Sequence, residues 1–226
     1  MKKIAIHQPN FLPWLGYFYK IATVDLFVFL DDVQYTKNSF INRNKIRAGN
    51  DSRWLTCPVA TSGEFGQAIK DVRYYKPKDT EQSILGILQA NYKKTPNYNL
   101  YIELIRSALN LEKQTLADQN IILISALSKE LNIPTRMIRS SELNGIEGTA
   151  TSRLISICKE TGADVYLAGF GAAKYQEDEL FQQEGITVTR SEFVHPVYNQ
   201  VGPGFISNLS VVDFLFNAGN NPFLTL

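Results

Sequence analysis

The chain contains two histidines, and each stands at the end of a predicted strand with a proline close behind it. His7 follows the apolar run of residues 4–6, and His195 directly precedes Pro196. Histidine is the side chain best suited to exchange protons near neutral pH, so His7 is the first candidate for a general base and His195 the second. Either histidine could equally be an ordinary core or surface residue without a chemical role, and the sequence leaves both interpretations open.

Two carboxylates, Asp31 and Asp32, end a second apolar run at residues 26–30. Adjacent residues point to opposite sides of a strand, so we expect at most one of the two to face a given site and the other to cap a turn. We take Asp32 as the candidate catalytic carboxylate. It could orient a base, hold a cation or bind sugar hydroxyls, and nothing in the sequence separates these roles.

A short basic cluster follows these carboxylates and is mixed with amide side chains. Arginine gives bidentate contacts to phosphate, lysine gives a point charge, and asparagine amides suit hydroxyls or base edges. A nucleotide diphosphate fits better than a nucleic acid, because the cluster is small and the net charge of the chain is +1. A solvated loop is the alternative. The cluster comprises Lys37, Asn38, Asn42, Arg43, Asn44, Lys45 and Arg47.

A Gly-Phe-Gly string at residues 169–171 stands between a predicted strand at 164–168 and a predicted helix at 172–184. Glycine at this place permits close approach of a backbone, and the N-terminus of a helix attracts anions. Gly169 and Tyr175 are therefore candidates for contact with a ligand. Close packing explains the glycines equally well.

Apolar periodicity predicts an alternation of strands and helices around these residues. The predicted strands are 4–6, 26–30, 54–59, 135–139, 164–168 and 186–190, and the predicted helices are 17–22, a segment from 80, 101–109, 115–131, 150–161, 172–184 and 210–217. This alternation indicates an α/β fold with a mostly parallel, Rossmann-like sheet, in which ligands bind at the carboxyl ends of the strands. The string FLPWLG after the first strand resembles a loop of nucleotidylyltransferases, and this resemblance implies a nucleotidylyltransferase-like sheet. We predict a single domain over residues 1–226, with a helical insertion at about 80–110 and a loop-rich C-terminal segment at 193–226. In that segment we expect Ser210 to cap a short helix, with Asp213 as the capping-box acid.

The composition is that of an ordinary globular protein, with 226 residues, 44% hydrophobic and 20% charged. No apolar run approaches the roughly 20 residues that span a bilayer, and the N-terminal run is shorter than the roughly 7–15 apolar residues of a signal peptide. We therefore expect a cytoplasmic protein without a membrane span. Cys57 and Cys158 are expected to be buried free thiols. Their spacing and that of the histidines match no metal motif, so we expect neither a metal nor a cofactor.

Several uncommon strings occur in order along the chain, namely HQPNFLPWLGYF, DDVQYTKNSFINRNKI, WLTCPV, YLAGFGAAKYQ, HPVYNQ and FISNLSVVDFLFNAG. Together they resemble the WbqC-like protein family over nearly the whole chain. The resemblance implies a role in the biosynthesis of bacterial surface polysaccharides, such as the O-antigen of lipopolysaccharide.

The expected function is that of a transferase, which moves an acyl or aminoacyl group onto the amino group of a nucleotide-activated sugar. Ser39 and Cys57 lack any signature of an activated nucleophile, so direct transfer from an activated acyl donor is the simpler route. Two alternatives stay open. The string FLPWLG resembles the F-x-P-x-H-x-G-H loop of nucleotidylyltransferases but lacks both loop histidines, and a non-catalytic module that binds a nucleotide sugar has the same residues available.

The expected partners are a nucleotide-activated sugar and an activated acyl donor, whereas the near-neutral charge argues against nucleic acid. The sequence leaves the oligomeric state open. Aromatic side chains such as Trp14 could stack on a base or a pyranose face, or simply pack in the core. We predict that most of the candidates converge on one cavity. The catalytic candidates are His7, His195 and Asp32, and the substrate-binding candidates are Gln8, Asn10, Trp14, Tyr35, Lys37, Arg43, Asn44, Lys45, Gly169, Tyr175, Tyr198 and Gln200.

Overall fold

The computed structural model describes residues 1–60, 66–169 and 177–219, and these fold as two compact units. The sheet unit comprises Met1–Gln8, Tyr19–Asp32 and Ile133–Val194. The helical unit comprises Pro9–Phe18, Val33–Asn132 and His195–Leu226. The single domain predicted over residues 1–226 stays a prediction.

The described residues form strands and α-helices that alternate along much of the chain. In chain order they are β1 (Lys3–His7), α1 (Leu15–Ala22), β2 (Leu26–Phe29), β3 (Arg43–Ala48), β4 (Asp51–Thr56), β5 (Val59–Ala60), β6 (Arg73–Tyr74), α2 (Pro77–Tyr92), α3 (Tyr98–Ala108), α4 (Leu116–Glu130), β7 (Arg136–Arg139), α5 (Ala150–Glu160), β8 (Val165–Ala168), α6 (Asp178–Gln183), β9 (Thr187–Arg190) and α7 (Val211–Ala218).

The sheet unit contains a five-stranded sheet in the order β7-β2-β1-β8-β9, and every pair of neighbouring strands is parallel. When the five strands are numbered by their order along the chain, the sheet reads 3-2-1-4-5, which is the order of a Rossmann fold. The predicted α/β class with a parallel, Rossmann-like sheet is therefore confirmed.

One face of this sheet is covered by apolar side chains from two helices. Alternate residues of β1 and β2 point to the same side, as expected for strands. The Tyr166 ring of β8 stacks on the Phe181 ring of α6, with centroids 5.1 Å apart. Helix α5 ends where predicted, with Gly162 in the left-handed conformation at φ +64°. The buried cluster on this face comprises Ile4, Ile6, Leu26, Val28, Ile155, Ile157, Cys158, Ala163, Tyr166, Ala168, Phe181 and Ile186.

The helical unit contains two small antiparallel sheets, β3–β4 and β5–β6, together with α2, α3, α4 and α7. Helices α2 and α3 occupy the segment in which the helical insertion is predicted. Helix α4 starts with a capping box between Thr115 and Asp118. Both cysteines, Cys57 here and Cys158 in the sheet unit, are buried free thiols, as expected.

The main departure from the predicted elements is β3, which the sequence presents as a basic loop. Its side chains alternate, with Asn44 and Ile46 buried while Lys45 is exposed. The alternation is hard to see in the sequence because three of the six strand residues are Arg or Lys. Gly49, at φ +61°, lies in the two-residue turn to β4.

Two other predicted elements differ in their bounds. The strand expected at 54–59 is divided between β4 and β5, because Pro58 has no N–H to contribute to a ladder. Helix α6 covers the C-terminal part of the helix expected at 172–184. Residues 172–176 of that prediction lie outside the described residues.

Helix α7 begins after Ser210, whose hydroxyl accepts a hydrogen bond from the Val212 N–H at 3.4 Å, so the predicted cap is confirmed. The capping-box role expected for Asp213 is wrong. Its buried carboxylate instead accepts hydrogen bonds from the Tyr92 and Tyr198 hydroxyls, at 2.9 and 2.8 Å, and from Gln200 Nε2 at 2.7 Å. Three donors within the fold outcompete the helix start for this carboxylate.

Arg47 of β3 closes the network around Asp213. Its backbone N–H donates to the Tyr92 hydroxyl at 2.8 Å, and its guanidinium donates to Gln200 Oε1 at 2.7 Å. The guanidinium also binds the carbonyls of Pro203 and Gly204, at 2.5 and 3.0 Å. The network thereby fixes the C-terminal segment against β3. Burial raises the pKa of Asp213, although its three hydrogen bonds and the charge of Arg47 act in the opposite direction.

We expect Asp213→Asn to lower the free energy of unfolding by about 2–4 kcal/mol, because an amide must present a donor to hydroxyl or amide groups that already donate. Urea unfolding followed by circular dichroism measures the change. Asp79→Asn, on the exposed first turn of α2, is the matched control and should cost no more than about 0.5 kcal/mol. Equal stabilities for the two variants would contradict the role given to Asp213.

Candidate functional site

The strand order of the sheet unit reverses between β1 and β8, which are neighbours in space but not in sequence. In open α/β sheets a crevice forms at this point, outside the carboxyl ends of the two strands, and ligands bind there. His7 is the last residue of β1, and Gly169 directly follows β8. The topology therefore brings two of the predicted site residues to the edge where a ligand is expected.

The His7 imidazole is held in one orientation and is neutral. Its Nδ1 lies 3.1 Å from the carbonyl oxygen of Gln8, and because a carbonyl can only accept, Nδ1 carries the proton and Nε2 is the acceptor nitrogen. Burial, with a smaller contribution from the charge of Lys20, lowers the pKa of His7 to about 3, although the hydrogen bond to Gln8 opposes the shift. A base of this strength accepts a hydrogen bond readily but holds a proton poorly at neutral pH.

Lys20, in the last turn of α1, is a buried cation that the sequence analysis missed. It is 4% exposed, its Nζ donates to the carbonyl oxygen of Ile6 at 3.1 Å, and it forms no ion pair with any described residue. Burial lowers its pKa from 10.5 to about 7. The signal available in the sequence is a lysine inside the otherwise apolar helix LGYFYKIA.

The two carboxylates after β2 do not point to opposite sides. Ser140 Oγ lies 2.6 Å from Asp32 Oδ1 and 3.3 Å from Asp31 Oδ1, so both acids reach the same hydroxyl. The strand alternation does not extend to these acids, because β2 ends at Phe29. The expectation that at most one of them faces a given ligand site stays a prediction. The acids also differ in burial, with Asp31 fully buried and Asp32 partly exposed.

Each of these carboxylates has its own cation. Asp32 forms a 2.5 Å ion pair with Arg153 of α5, which occupies one of its oxygens. Asp31 accepts hydrogen bonds from the N–H and hydroxyl of Ser141, at 3.1 and 2.9 Å, and lies 3.8 Å from Arg139. This arrangement joins the ends of β2 and β7. The catalytic role expected for Asp32 stays a prediction.

In the helical unit, the loop that follows His7 and Gln8 has an unusually constrained backbone. Leu12, at φ +40°, adopts a conformation that is costly for a residue with a side chain. Asn44 Nδ2 donates to the carbonyls of Phe11 and Leu12, at 3.3 and 2.7 Å, and the Ser210 hydroxyl donates to Leu12 at 2.7 Å. Asn44 therefore acts on the loop backbone, and its predicted contact with substrate stays a prediction.

The hairpin β3–β4 gathers the predicted phosphate-binding cations around one aromatic ring. The guanidinium carbon of Arg43 lies 4.2 Å from the centroid of the Trp54 ring, and Lys45 Nζ lies 5.5 Å from it. Tyr35 lies near Arg43, and burial raises the pKa of its hydroxyl to about 12. Trp54 and its neighbour Phe40 are partners that the sequence analysis did not single out.

The C-terminal candidates also come together within the helical unit. The His195 ring lies 6.2 Å from the Tyr198 ring and 5.7 Å from the Phe205 ring, between centroids. Its Nδ1 lies 2.8 Å from the carbonyl oxygen of Pro196, which again makes Nε2 the acceptor nitrogen. Tyr198 and Gln200 belong to the network around Asp213. Burial raises the pKa of Tyr198 to a value at which its hydroxyl stays protonated.

Four of the predicted site residues belong to the sheet unit, ten belong to the helical unit, and Tyr175 lies outside the described residues. Of the remaining loop residues, Asn10 is buried, Lys37 is exposed, and the Trp14 ring lies so close to Gly16 that a side chain there would collide with it. A common cavity for the whole set stays a prediction. The first group is His7, Gln8, Asp32 and Gly169, and the second is Asn10, Trp14, Tyr35, Lys37, Arg43, Asn44, Lys45, His195, Tyr198 and Gln200.

The described residues offer neither a metal-binding cluster nor a membrane-spanning helix. Within residues 1–60, 66–169 and 177–219, no three His, Cys, Asp or Glu side chains are grouped so that they could hold a metal ion. The same part of the chain contains no helix with the length and apolar character required to cross a membrane.

We expect the imidazole of His7 to stay neutral down to acidic pH, because its pKa lies about 3 in the folded state. The His195→Gln variant leaves His7 as the single histidine, so its Cε1–H resonance can be followed by NMR without ambiguity. The resonance should show no titration step between pH 8 and about pH 4.5 while the protein remains folded. A midpoint near the ordinary value of 6.5 would contradict the burial of this ring.

The buried Lys20 should make stability depend on pH. Because its folded pKa of about 7 lies below the ordinary lysine value of 10.5, the unfolded chain binds more protons between these two pH values, and stability rises with pH. The Lys20→Met variant lacks this contribution. The free energy of unfolding of the variant minus that of the parent protein should therefore fall by about 4 kcal/mol between pH 7 and pH 10. Urea unfolding across this range is the measurement, with Lys94→Met on the exposed surface as control. A difference that does not change with pH would show that Lys20 is ordinarily solvated.

Comparison with known proteins gives a family but no assigned reaction. The model of the WbqC-like protein family matches residues 8–223. The uncharacterized protein Rv1507c of Mycobacterium tuberculosis is 34% identical over 222 residues, which cover 97% of this chain and 95% of that protein. A search of solved structures found no significant match. The family match and this relative both extend over almost the whole chain, and the protein is therefore a member of the WbqC-like protein family.

Proposed function

We propose that this protein binds a nucleotide-activated amino sugar and transfers an acyl or aminoacyl group to its amino group. The single observation that carries the proposal is the strand order of the sheet unit, with His7 and Gly169 at the edge where the order reverses. Nucleotide ligands are bound at this point in Rossmann-type sheets. The resemblance to the WbqC-like family supports the pathway, which we propose to be bacterial surface-polysaccharide biosynthesis in the cytoplasm.

The charge distribution favours a diphosphate-linked ligand. Arg43 and Lys45 lie two residues apart on β3, so both point to the same side of the strand. Neither forms an ion pair with a described residue, and Arg43 Nε is buried without a hydrogen-bond acceptor among those residues. Arginine binds phosphate through two parallel hydrogen bonds, and lysine adds a point charge. We assign phosphate binding to this pair.

The transfer itself needs a group that orients the attacking amine. The amine nitrogen attacks the acyl carbon, a C–N bond forms, and the bond from that carbon to the leaving group breaks, with its electron pair departing on the leaving group. The departing group takes up the proton that the amine loses. The neutral His7, with Nε2 as acceptor nitrogen, suits a hydrogen bond that orients the amine lone pair toward the acyl carbon. We assign this role to His7.

Two other functions predict different products. A nucleotidyltransferase would consume a nucleoside triphosphate with magnesium and release diphosphate, and the Rossmann-like strand order is compatible with this reaction as well. A non-catalytic module would bind the nucleotide sugar without converting it. Mass spectrometry of mixtures with nucleotide amino sugars and acyl donors separates the three, because only acyl transfer increases the mass of the sugar nucleotide by the acyl group. Release of diphosphate from triphosphates without such an increase would overturn the proposal.

We expect His7→Ala and Arg43→Ala to affect different kinetic parameters. His7→Ala should lower kcat by roughly 100-fold or more and leave the nucleotide-sugar Kd nearly unchanged, because its hydrogen bond serves the transfer step. Arg43→Ala should mainly raise Kd, because phosphate is bound equally in the ground and transition states. Arg43→Lys should restore binding only in part, since the bidentate contact is lost.

Steady-state kinetics and isothermal titration calorimetry measure these effects, and circular dichroism with thermal melting confirms that each variant is folded. Normal turnover in His7→Ala together with a collapse of binding would make His7 a ligand contact. The candidate for the transfer step would then be His195, whose Nε2 is also an acceptor nitrogen.

A further inference from the structure

The exposed face of the hairpin β3–β4 carries the Trp54 ring, and the Phe40 ring of the preceding segment lies beside it; the proposed function uses neither ring. Strand alternation places Asn44, Ile46 and Leu55 on the buried face, where each is at most 1% exposed. The opposite face carries Arg43, Lys45 and, directly across from Lys45, Trp54. Trp54 is 36% exposed, and Phe40 beside it is 50% exposed.

The two rings form one platform. Their centroids are 5.7 Å apart, and their planes are inclined at 57°, which is an ordinary contact geometry for an aromatic pair. Large apolar side chains that are scattered singly on a surface need no explanation, but here two of them touch and stand beside two cations. We call the set of Phe40, Arg43, Lys45 and Trp54 the hairpin platform.

The cations of the hairpin platform are oriented without an anion from the fold. Arg43 lies over the Trp54 ring at 4.2 Å, and this contact fixes the guanidinium while leaving its charge uncompensated. Its Nε is buried and, among the described residues, has no acceptor. Because the Trp54 ring holds the guanidinium in place before an anion arrives, binding costs less side-chain entropy than it would for a mobile arginine.

We propose that the hairpin platform binds a nucleoside diphosphate, with the base stacked on Trp54 beside Phe40 and the phosphates on Arg43 and Lys45. This inference rests on the proposed function, and it specifies which part of the nucleotide sugar each residue recognises. Charge complementarity requires an anion, and the exposed rings require a flat apolar surface in the same ligand. A nucleotide combines both, whereas inorganic diphosphate has no ring and a neutral sugar has no charge. A long nucleic acid fits less well, because the net charge of the whole chain is +1.

Uridine diphosphate and inorganic diphosphate are the probes that separate stacking from charge. Trp54→Ala should weaken the binding of uridine diphosphate by roughly 5- to 100-fold, the effect of losing base–aromatic stacking. The binding of inorganic diphosphate should weaken much less, because that probe loses only the contact that holds the Arg43 guanidinium in place. Arg43→Ala should lower the affinity for both probes. Isothermal titration calorimetry gives the affinities, and thermal melting confirms that the variants are folded.

Tyr75→Ala is the matched control within the same unit. Tyr75 is 55% exposed and also has a cation near its ring, with Lys76 Nζ 5.6 Å from the centroid, yet it lies outside the hairpin platform. Its loss should leave the affinity for both probes unchanged. Tryptophan emission excited at 295 nm gives a second readout, since uridine diphosphate should quench the parent protein and fail to quench Trp54→Phe.

The outcomes separate this inference from the proposed function. If Trp54→Ala binds uridine diphosphate as tightly as the parent protein, the hairpin platform is not the base-binding surface, and acyl transfer to a nucleotide sugar is still tested by its own assay. If no sugar nucleotide is ever acylated but Trp54 is quenched, the reaction fails and the binding surface stands. Tighter binding of an oligouridylate than of uridine diphosphate would overturn the inference in favour of a nucleic acid.

Discussion

The helical unit must supply hydrogen-bond partners for the buried backbone of residues 9–13, and several of its contacts follow from this requirement. These residues lie in neither a helix nor a strand, so their polar groups have no regular ladder and must find partners elsewhere. Side-chain amides supply them, with Asn120 donating to the Pro9 carbonyl at 2.9 Å and Asn44 to the carbonyls of Phe11 and Leu12. The Val211 N–H completes the set at the Pro13 carbonyl, at 2.8 Å, and so ties the start of α7 to this loop. The strained conformation of Leu12 persists because its surroundings leave it no alternative.

The two units treat buried ionisable groups in opposite ways. In the helical unit Asp213 is surrounded by donors, so its hydrogen bonds offset part of the cost of burial. In the sheet unit His7 and Lys20 lie near each other, and the pKa values of both fall because desolvation disfavours their charged forms. In the acyl transfer that we propose, a neutral histidine is compatible with an amine substrate, whereas a charged histidine would repel a protonated amine.

The sequence predicted those elements whose pattern is set by burial alone. The strands β1, β2, β8 and β9 are short apolar runs between turn signals, and their helical connections force a parallel sheet. Strand β3 was not predicted, because charged residues on its outer face conceal the alternation of its inner face. Contacts between residues that are distant in the chain could not be predicted from the sequence. No local pattern indicates that Asp213 contacts Tyr92, which is 121 residues away, or that Lys20 lies under the end of β1.

Arg43 and Arg47 show why residue type alone does not reveal a binding residue. They lie four residues apart on β3 and share a side of the strand, so the sequence indicates phosphate binding equally for both. Arg47 is 3% exposed, and its guanidinium donates to Gln200 Oε1 and to the carbonyls of Gly49, Pro203 and Gly204. Its donors are occupied by the fold, and its role is structural. Arg43 is held by an aromatic face, and among the described residues its guanidinium forms no ion pair. The partners of each guanidinium, rather than its charge, distinguish the structural arginine from the one we assign to phosphate.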